Sequence, residues 1–490
     1  MADWQHHEWK LLIGGELVAG EAGTASIVNP ATEEVVAEAP EASVAQAQEA
    51  ARAAQEAFPA WSATPAEERA ALLLKAANRL GELGADLVPL IISETGATAT
   101  VGSRMQVPVA LERFHRYARD ATKNIGIPMP PQPVQATPLA PGGLMGAYVN
   151  RQPVGAVACI SPYNFPLTNM VGKIAPALAV GCTVVMKPAP QDPLAILVLA
   201  EVMREVGFPP GVVNVVTSAA PDPAAALTES RDIDMVSFTG STAVGTRIYQ
   251  AGGATMKRML LELGGKGAAL VLDDADLSAA VTAISSVWTF HSGQICTAPT
   301  RAIVHRSKYD ELVERLAGFA GAVKVGDPLD DDTIVGPVIS AAQRDRIESY
   351  VAAGGDEGAE IVVDGRRPGH MERGYYVAPT LLAGCKPGMT AVREEIFGPV
   401  IAVLPFDDDD EAVAIANSTD FGLYDYVMTS DTERGFRLAG KLRSGNVGIN
   451  TAQRNMETPF GGFKMSGVGR DGGDFGLYAY TEMQSVVWPA

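Results

Sequence analysis

Between residues 154 and 251 the chain alternates continuous apolar runs with longer segments whose apolar residues recur at helical spacing. Continuous apolar runs are typical of strands that are buried on both faces, and the helical segments can serve as crossovers between them. The predicted strands cover 154–160, 183–187, 212–217 and 233–239, and the predicted helices cover 167–180, 194–206 and 242–251. This rhythm predicts a parallel sheet that places Asn164, Lys187 and Gly240 at the carboxyl ends of strands, where such sheets bind ligands.

A second alternating stretch, from Leu260 to about Phe406, predicts another α/β domain. The first 30 residues predict short strands and turns, and two helices follow them. The first helix begins at Ser43, whose spacing to Gln46 is that of a capping box. The second begins at Thr64, with Pro65 as its first helical residue.

Two segments do not fit this alternation. Residues 129–144 are too rich in proline and glycine for a regular helix, which leaves a linker and an extended arm to a neighbouring subunit as open interpretations. Residues 477–483 alternate and are rich in aromatic and apolar side chains. This tail is typical of a strand that is added to the sheet of a partner.

Length and charge limit the class of protein. A chain of 490 residues exceeds what one hydrophobic core usually supports, so two or three domains are expected. The net charge of −19 disfavours nucleic acid and anionic membranes as partners. No apolar run reaches the roughly 18 residues that a membrane span needs, and the N-terminus lacks the pattern of a secretory signal.

The four cysteines are widely spaced, at 159, 182, 296 and 385. They form neither a CxxC pair nor a zinc pattern, so no metal site is predicted. Reduced thiols are typical of a cytoplasmic protein, which is the location we expect.

A glutamate and a cysteine in glycine-bearing motifs are the candidate reactive groups. Glu262 begins the motif Glu-Leu-Gly-Gly-Lys, and Cys296 ends the motif Phe-His-Ser-Gly-Gln-Ile-Cys at 290–296. A thiol can attack an electrophilic carbon, and a carboxylate can activate the thiol or a later water. An isolated cysteine is more often a small buried hydrophobe, so the interpretation depends on the motifs around it.

A strand that ends at Gly240 and Ser241 leads into a helix with Gly245 in its first turn. Glycines let a ligand approach the backbone, and a helix N-terminus attracts phosphate. The GxGxxG pattern at 467–472 is not a dinucleotide fingerprint, because too few residues follow it for a βαβ unit.

Further motifs lie at 161–166 (Ser-Pro-Tyr-Asn-Phe-Pro), 187–189 (Lys-Pro-Ala), 394–400 (Glu-Glu-Ile-Phe-Gly-Pro-Val) and 459–467 (Pro-Phe-Gly-Gly-Phe-Lys-Met-Ser-Gly). With the Glu262 and Cys296 motifs, and in this order, they closely resemble the aldehyde dehydrogenase superfamily from about residue 10 to the C-terminus. The resemblance implies oxidation of an aldehyde to the acid, with hydride transfer to NAD or NADP.

The resemblance also assigns catalytic roles. Cys296 resembles the nucleophile, which forms a thiohemiacetal and then a thioester, and Asn164 resembles the donor to the oxyanion. Glu262 resembles the base that activates water for thioester hydrolysis. Lys173 and Asp471 match positions that pass the proton outward in relatives, although Asp471 is shorter than the usual glutamate.

Cofactor roles follow from the same resemblance. The matching positions are Pro162, Lys187, Gly240, Ser241, Gly245, Gly264, Glu395 and Phe397. A glutamate that grips the adenosine ribose in relatives is replaced by Pro190. Loss of its charge removes an acceptor for NAD and a repulsion against the extra phosphate of NADP, so we expect NADP to serve at least as well as NAD.

The expected substrate pocket is wide and partly polar. Its candidate residues are Phe165, Asn169, Phe290, Ile295, Thr297, Asn455 and Phe460. Thr168 and Gly172 stand where relatives often carry bulky side chains, and the aromatic walls favour an aromatic or ring-bearing aldehyde.

The implied architecture is a Rossmann-type parallel-sheet cofactor domain, an α/β catalytic domain and a small β oligomerisation element. We expect the cofactor domain at 9–120 and 149–258, the catalytic domain at 259–458 and the bridging element at 121–148 and 470–490. Relatives form homodimers or homotetramers, and the sequence does not choose between them.

Three other functions are compatible with parts of the sequence. An acyl-CoA-forming dehydrogenase would not need Glu262, and a thiol esterase would not need the cofactor motifs. A non-catalytic relative would be expected to have lost Cys296, Glu262 or Asn164, and all three are present.

Overall fold

The computed structural model describes residues 4, 6–369 and 371–489 and contains two large, mostly parallel sheets. The strands of the first sheet lie in the spatial order Gly467–Val468, Arg258–Glu262, Met235–Thr239, Ala156–Ile160, Thr183–Lys187, Val213–Val215, Leu11–Ile13 and Glu16–Val18. The five strands from Arg258–Glu262 to Val213–Val215 are parallel, and the outer ones are antiparallel. These strands and their crossover helices confirm the predicted α/β class.

The inner strands are mostly apolar, because helices cover both faces of this sheet. Val184 and Met186 pack into the core on one face, and Val185 between them packs into the core on the other. Every residue of Thr183–Lys187 is buried. A strand buried on both sides shows a continuous apolar run instead of alternation, which is the pattern that the sequence displays.

The second sheet has the order Glu360–Val363, Thr380–Ala383, Val400–Phe406, Arg301–His305, Ala268–Val271, Tyr424–Met428 and Asn446–Ile449. It extends beyond the alternating stretch that the sequence indicated. The start of that stretch, Leu260, is corrected, because Arg258–Glu262 pairs in parallel with Met235–Thr239 of the first sheet. An apolar run does not reveal which sheet it joins, and the division of the chain into domains stays a prediction.

The proline-rich segment forms part of a third, antiparallel sheet with the order Thr481–Pro489, Gly143–Pro153 and Ile127–Val134. The prediction for 477–483 is corrected, since Gly473–Ala479 is helical and the last strand begins at Thr481. Ala490, the last residue of the predicted bridging element, lies outside the described residues. A two-stranded sheet joins Thr24–Val28 to Val35–Pro40.

The α-helices of the described residues are Val44–Ala63, Ala66–Glu82, Gly84–Thr95, Ala99–Val101, Val107–Asp120, Pro166–Val180, Leu194–Glu205, Pro221–Glu229, Thr242–Gly252, Leu277–Trp288, Tyr309–Ala322, Ala341–Asp356, Thr390–Arg393, Asp409–Asn417, Thr432–Ala439 and Gly473–Ala479. Short 3₁₀ or π turns lie at Gly102–Gln106, Gly253–Thr255, Phe290–Gly293, Arg306–Lys308 and Lys464–Ser466. Among the helices of this described part, none combines the length and apolarity needed to cross a bilayer.

The two predicted helix starts have different outcomes. Ser43 forms the capping box with Gln46, as the spacing predicted. Thr64 does not cap the next helix, because its hydroxyl donates to the Ala60 carbonyl of the preceding helix. Pro65 takes the capping position without a side-chain hydrogen bond.

Candidate active site

One cavity of about 1360 Å³ opens at the carboxyl ends of the inner strands of the first sheet. This is the edge at which parallel sheets bind ligands. Loops of the second sheet complete its wall. The wall contains sixteen of the residues predicted from sequence: Pro162, Asn164, Phe165, Asn169, Lys187, Gly240, Ser241, Glu262, Gly264, Phe290, Ile295, Cys296, Thr297, Glu395, Phe397 and Phe460.

A strained turn presents Cys296 to this cavity. His291, Ser292 and Gly293 have φ values of 49°, 56° and 72°, a left-handed run that L side chains rarely adopt. Ser292 Oγ donates to the Gly336 carbonyl at 2.8 Å. A Cβ on Gly293 would overlap the backbone of Gly398. Close packing and hydrogen bonds therefore hold the turn in this conformation.

The Cys296 thiol is protonated at neutral pH in this environment. Burial, followed by the nearby carboxyls of Glu395 and Glu262, raises the pKa of the thiol to about 12. A thiol must lose its proton to become a strong nucleophile. Cys296 therefore needs a proton acceptor in the same cavity.

Glu262 is available as that acceptor. It ends the strand Arg258–Glu262, is 5 % exposed, and neither carboxyl oxygen has a hydrogen-bond partner among the described residues. Burial, and then the charge of Asp471, raises the pKa of Glu262 well above the usual carboxyl range, while Lys173 opposes this shift. Such a carboxyl can hold a proton near neutral pH.

Lys173 lies behind the cavity wall, whereas Asp471 is part of the wall. The Lys173 ammonium donates to Ser237 Oγ at 3.4 Å, and that hydroxyl is 2.9 Å from the Tyr480 hydroxyl. Burial lowers the pKa of Lys173, and Asp471 opposes this shift most strongly. The three groups Glu262, Lys173 and Asp471 interact through charge, and the predicted proton relay stays a prediction.

Asn164 is fixed beside the cysteine turn. Its Nδ2 donates to the Gln294 carbonyl at 2.8 Å, and its Oδ1 accepts from the Phe165 N–H at 3.1 Å. Its own carbonyl is 2.7 Å from His291 Nε2. An amide nitrogen has two N–H groups, so one of them stays available to a ligand.

A nicotinamide dinucleotide fits the cofactor end of this cavity, because hydrogen bonds with the backbone already fix the direction of the polar groups there. Lys187 Nζ donates to the carbonyls of Pro188 and Ser218 at 3.0 and 2.9 Å, and burial lowers its pKa to about 8. Ser241 caps the helix Thr242–Gly252 by accepting from Val244 N–H. Its hydroxyl can still donate to a phosphate.

The carboxylate of Glu395 is held by a hydrogen bond from the motif that begins at Glu262. Its Oε1 accepts from Gly265 N–H at 2.9 Å, and burial raises its pKa to about 7. A Cβ on Gly264 would overlap Glu395 Oε2, so glycine is required there for this approach. Phe397 has a φ of 59°, and its ring packs edge-on against Tyr163.

Gly245 lies outside the cavity wall, and its contact with the cofactor stays a prediction. A Cβ at this position would overlap Leu263. The glycine therefore allows the helix Thr242–Gly252 to approach the strand beside it. A glycine in a phosphate-type turn gives no signal in sequence that separates ligand contact from close packing.

Asn455 also lies outside the wall, and its assignment to the substrate pocket stays a prediction. It is exposed, and its Oδ1 accepts from Glu457 N–H within the loop. Its neighbour Arg454 lines the cavity instead, and Arg113 lines it from the helix Val107–Asp120. The sequence patterns identified neither arginine, because an isolated arginine in a loop or on a helix is usually a solvated charge.

The sequence assigned the Thr168 hydroxyl and the space at Gly172 to the substrate pocket. In the structure, both make contacts within the protein. The Thr168 hydroxyl donates to the carbonyls of Met105 and Gln106. A Cβ on Gly172 would overlap the guanidinium of Arg113, so this glycine makes room for an arginine.

Comparison with known proteins agrees with this geometry. The model of the aldehyde dehydrogenase family matches residues 17–486. A 3-succinoylsemialdehyde-pyridine dehydrogenase of a Pseudomonas species is 36 % identical over 473 residues, which cover 95 % of this chain and 95 % of that protein. The chloroplastic betaine aldehyde dehydrogenase of Beta vulgaris is 36 % identical over 472 residues, which cover 94 % of this chain and 92 % of that protein.

The NAD+ complex of an aldehyde dehydrogenase from Bacillus cereus has the same fold. Its TM-score is 0.93 at 38 % identity, and the match covers 99 % of this chain and 97 % of that one. Because the sequence match and the fold agree, the chain belongs to the aldehyde dehydrogenase family and is an NAD(P)-dependent enzyme that acts on aldehydes.

Proposed function

We propose that this enzyme oxidises a ring-bearing aldehyde to the carboxylic acid, with Cys296 as nucleophile and Glu262 as base. The observation that carries the proposal is that Cys296 and Glu262 line the same cavity, and that the buried Glu262 carboxyl has no hydrogen-bond partner within the described residues. Asn164 is the proposed oxyanion donor, together with the backbone N–H of Cys296.

The first half of the reaction adds the thiol to the aldehyde. The Cys296 S–H proton passes to ionised Glu262, the sulfur bonds to the carbonyl carbon, and the carbonyl oxygen becomes an oxyanion that accepts a hydrogen bond from Asn164. NAD(P), when bound, supplies the acceptor for the hydride that leaves this carbon. Loss of the hydride re-forms the carbonyl and leaves an acyl group on Cys296.

The second half releases the acid. Glu262 gives up the first proton to solvent, takes a proton from water, and the resulting hydroxide attacks the thioester carbon. The carbon–sulfur bond breaks, the acid leaves and Cys296 regains a proton. Lys173 and Asp471 are proposed to stabilise the transient charges and to pass the proton outward.

The residues proposed to hold the cofactor are Pro162, Lys187, Gly240, Ser241, Gly264, Glu395 and Phe397. Pro190 lies in the cavity wall with Lys187. Because this position brings no carboxylate to the adenosine end, we propose that NADP serves at least as well as NAD. The charge of Lys187 can pair with a phosphate.

Aromatic rings support a ring-bearing substrate. Phe165, Phe290 and Phe460 line the cavity, with Ile295, Thr297 and Asn169. Planar rings stack and pack edge-on against such walls. The Pseudomonas relative is named as a dehydrogenase of 3-succinoylsemialdehyde-pyridine, an aldehyde that carries a pyridine ring.

We propose a homodimer or homotetramer that forms through the three-stranded sheet. Its strands expose apolar side chains, including Met483 at 67 % and Val487 at 59 %. A second copy would cover these side chains. A cytoplasmic location is proposed from the four cysteines, none of which forms a disulfide in the described structure.

The test is the absorbance of reduced nicotinamide at 340 nm with benzaldehyde, substituted benzaldehydes and hexanal, each with NAD and with NADP. We expect oxidation of the aromatic aldehydes with the larger kcat/KM. A large preference for hexanal would overturn the ring-bearing substrate, and a signal that requires coenzyme A would overturn hydrolysis as the second step.

A further inference from the structure

Arg113 and Arg454 are two of the arginines that line the wall of the proposed active-site cavity. Arg113 projects from the helix Val107–Asp120, and Arg454 lies in the loop that precedes Phe460. Both are half-buried. The positive charge of Arg454 acts on the Cys296 thiol, which places it near the sulfur rather than at the cofactor end.

The guanidinium of Arg454 is fixed but has open donors. Its central carbon lies 3.8 Å from the centre of the Phe460 ring, a stacked arrangement that leaves the N–H groups at its edge free. Within the described residues, no acceptor or carboxylate binds these N–H groups. Burial, and then the charge of Arg113, lowers the pKa of Arg454, so a negative ligand would offset both effects.

Arg113 is fixed through a different contact. Its Nη1 donates to the Thr168 carbonyl at 2.6 Å, in space that Gly172 leaves open. Its Nε and Nη2 have no acceptor among the residues that the structure describes. Both arginines therefore have a held position and unused donors.

A neighbouring arginine shows the more usual arrangement, in which carboxylates of the protein pair with the guanidinium. Arg116, three residues further along the helix from Arg113, pairs with Asp120, Glu457 and Asp474. Carboxylates are thus available at this part of the molecule, yet none forms an ion pair with Arg113 or Arg454 among the described residues. Asp471 raises the pKa of Arg454 less than Arg113 lowers it.

We propose that Arg113 and Arg454 form an anion subsite, and that the substrate carries a carboxylate in addition to its aldehyde group. This inference rests on the proposed function and narrows its substrate class to anionic aldehydes. A guanidinium fork matches a planar carboxylate with two parallel hydrogen bonds. A carboxylate ligand would supply the counter-charge that the protein provides for Arg116 and withholds here.

The experiment compares aldehydes that differ only in this charge. The probes are 3- and 4-formylbenzoate and the corresponding formylbenzamides, assayed for kcat/KM at 340 nm. We expect the better carboxylate to exceed its amide by about tenfold to a hundredfold, the usual range for a charge-assisted contact. Arg454→Gln and Arg113→Gln each reduce this ratio to near one, and Arg454→Lys keeps part of it.

Arg52→Gln is the matched control, because Arg52 is an exposed arginine on the helix Val44–Ala63 and does not line the cavity. It keeps the ratio of the parent enzyme. The ratio also separates substrate recognition from thiol reactivity, since a change at Cys296 affects carboxylate and amide equally. Calorimetric titration of the Cys296→Ala protein with the same probes reports binding without turnover, and we expect the same preference and the same loss in the arginine variants.

The outcomes distinguish this inference from the proposed function. Equal kcat/KM for carboxylates and amides, or a preference that survives in both arginine variants, overturns the anion subsite and leaves aldehyde oxidation intact. If no probe is oxidised and the carboxylates bind no better than the amides, both the anion subsite and the proposed function are overturned.

Discussion

The polar groups at the two ends of the cavity differ in their hydrogen-bond partners. At the cofactor end, Lys187 is held by two backbone carbonyls and Glu395 by a backbone N–H. At the reacting end, neither carboxyl oxygen of Glu262 has a partner within the described residues. The first arrangement fixes the direction of polar groups for binding. The second leaves a carboxyl free to gain and lose a proton.

The difference follows from what each group must do. A group that binds a ligand gains affinity when the protein has already fixed its direction. A group that transfers protons works best when its pKa lies near the working pH, which burial without hydrogen bonds achieves for a carboxyl. The following predictions test whether this division holds, in order of decreasing effect.

Cys296→Ala gives the largest expected loss. Without the sulfur there is no covalent intermediate, and kcat for aldehyde oxidation falls by at least about four orders of magnitude. Steady-state rates at 340 nm measure the loss, and binding of the cofactor to the variant checks that the other end of the cavity is intact. Undiminished turnover would remove Cys296 from the mechanism.

Glu262→Gln comes next, with a loss of roughly 10²- to 10⁴-fold, the range of general-base catalysis. Glutamine keeps the shape but cannot accept the proton. In the parent enzyme, kcat/KM rises with pH as Glu262 ionises, and the midpoint lies above the usual carboxyl range because burial raises its pKa. The variant loses this pH dependence, and an unchanged pH profile would assign it to another group.

Gly264→Ala tests the cofactor end. The added methyl overlaps Glu395 Oε2, so the carboxylate must move from its fixed position. We expect the cofactor KM to rise roughly tenfold, with a smaller change in kcat. Gly318→Ala is the control, because no atom lies within 4 Å of its added methyl. Equal cofactor KM values in both variants would contradict the role of the fixed carboxylate.

Pro190→Glu has the smallest expected effect. A carboxylate beside Lys187 repels the extra phosphate of NADP and can accept from the ribose of NAD. The ratio of kcat/KM for NADP to that for NAD falls by about threefold to tenfold. Pro190→Gln, which lacks the charge, separates electrostatics from shape. A ratio that responds equally to both substitutions would point to shape.

The first sheet could be predicted closely because its signal is local. Each predicted strand and helix between 154 and 251 has the predicted type, with ends within two residues of the prediction, but the helix Pro221–Glu229 was not predicted. The outcome was different for Leu260, whose strand joins the first sheet, and for 477–483, where a helix precedes the last strand. Strand partners and helix ends depend on contacts that are distant in sequence.

The sequence alone determined the α/β class, the family and the candidates Cys296, Glu262 and Asn164. Apolar periodicity and glycine-bearing motifs involve residues that are close in sequence, so they can be recognised without a structure. Only the tertiary structure decided that Gly245 supports packing, that Asn455 faces solvent and that Arg454 and Arg113 line the cavity. Side-chain direction, burial and the absence of a counter-charge arise when distant segments meet. No pattern of adjacent residues encodes them.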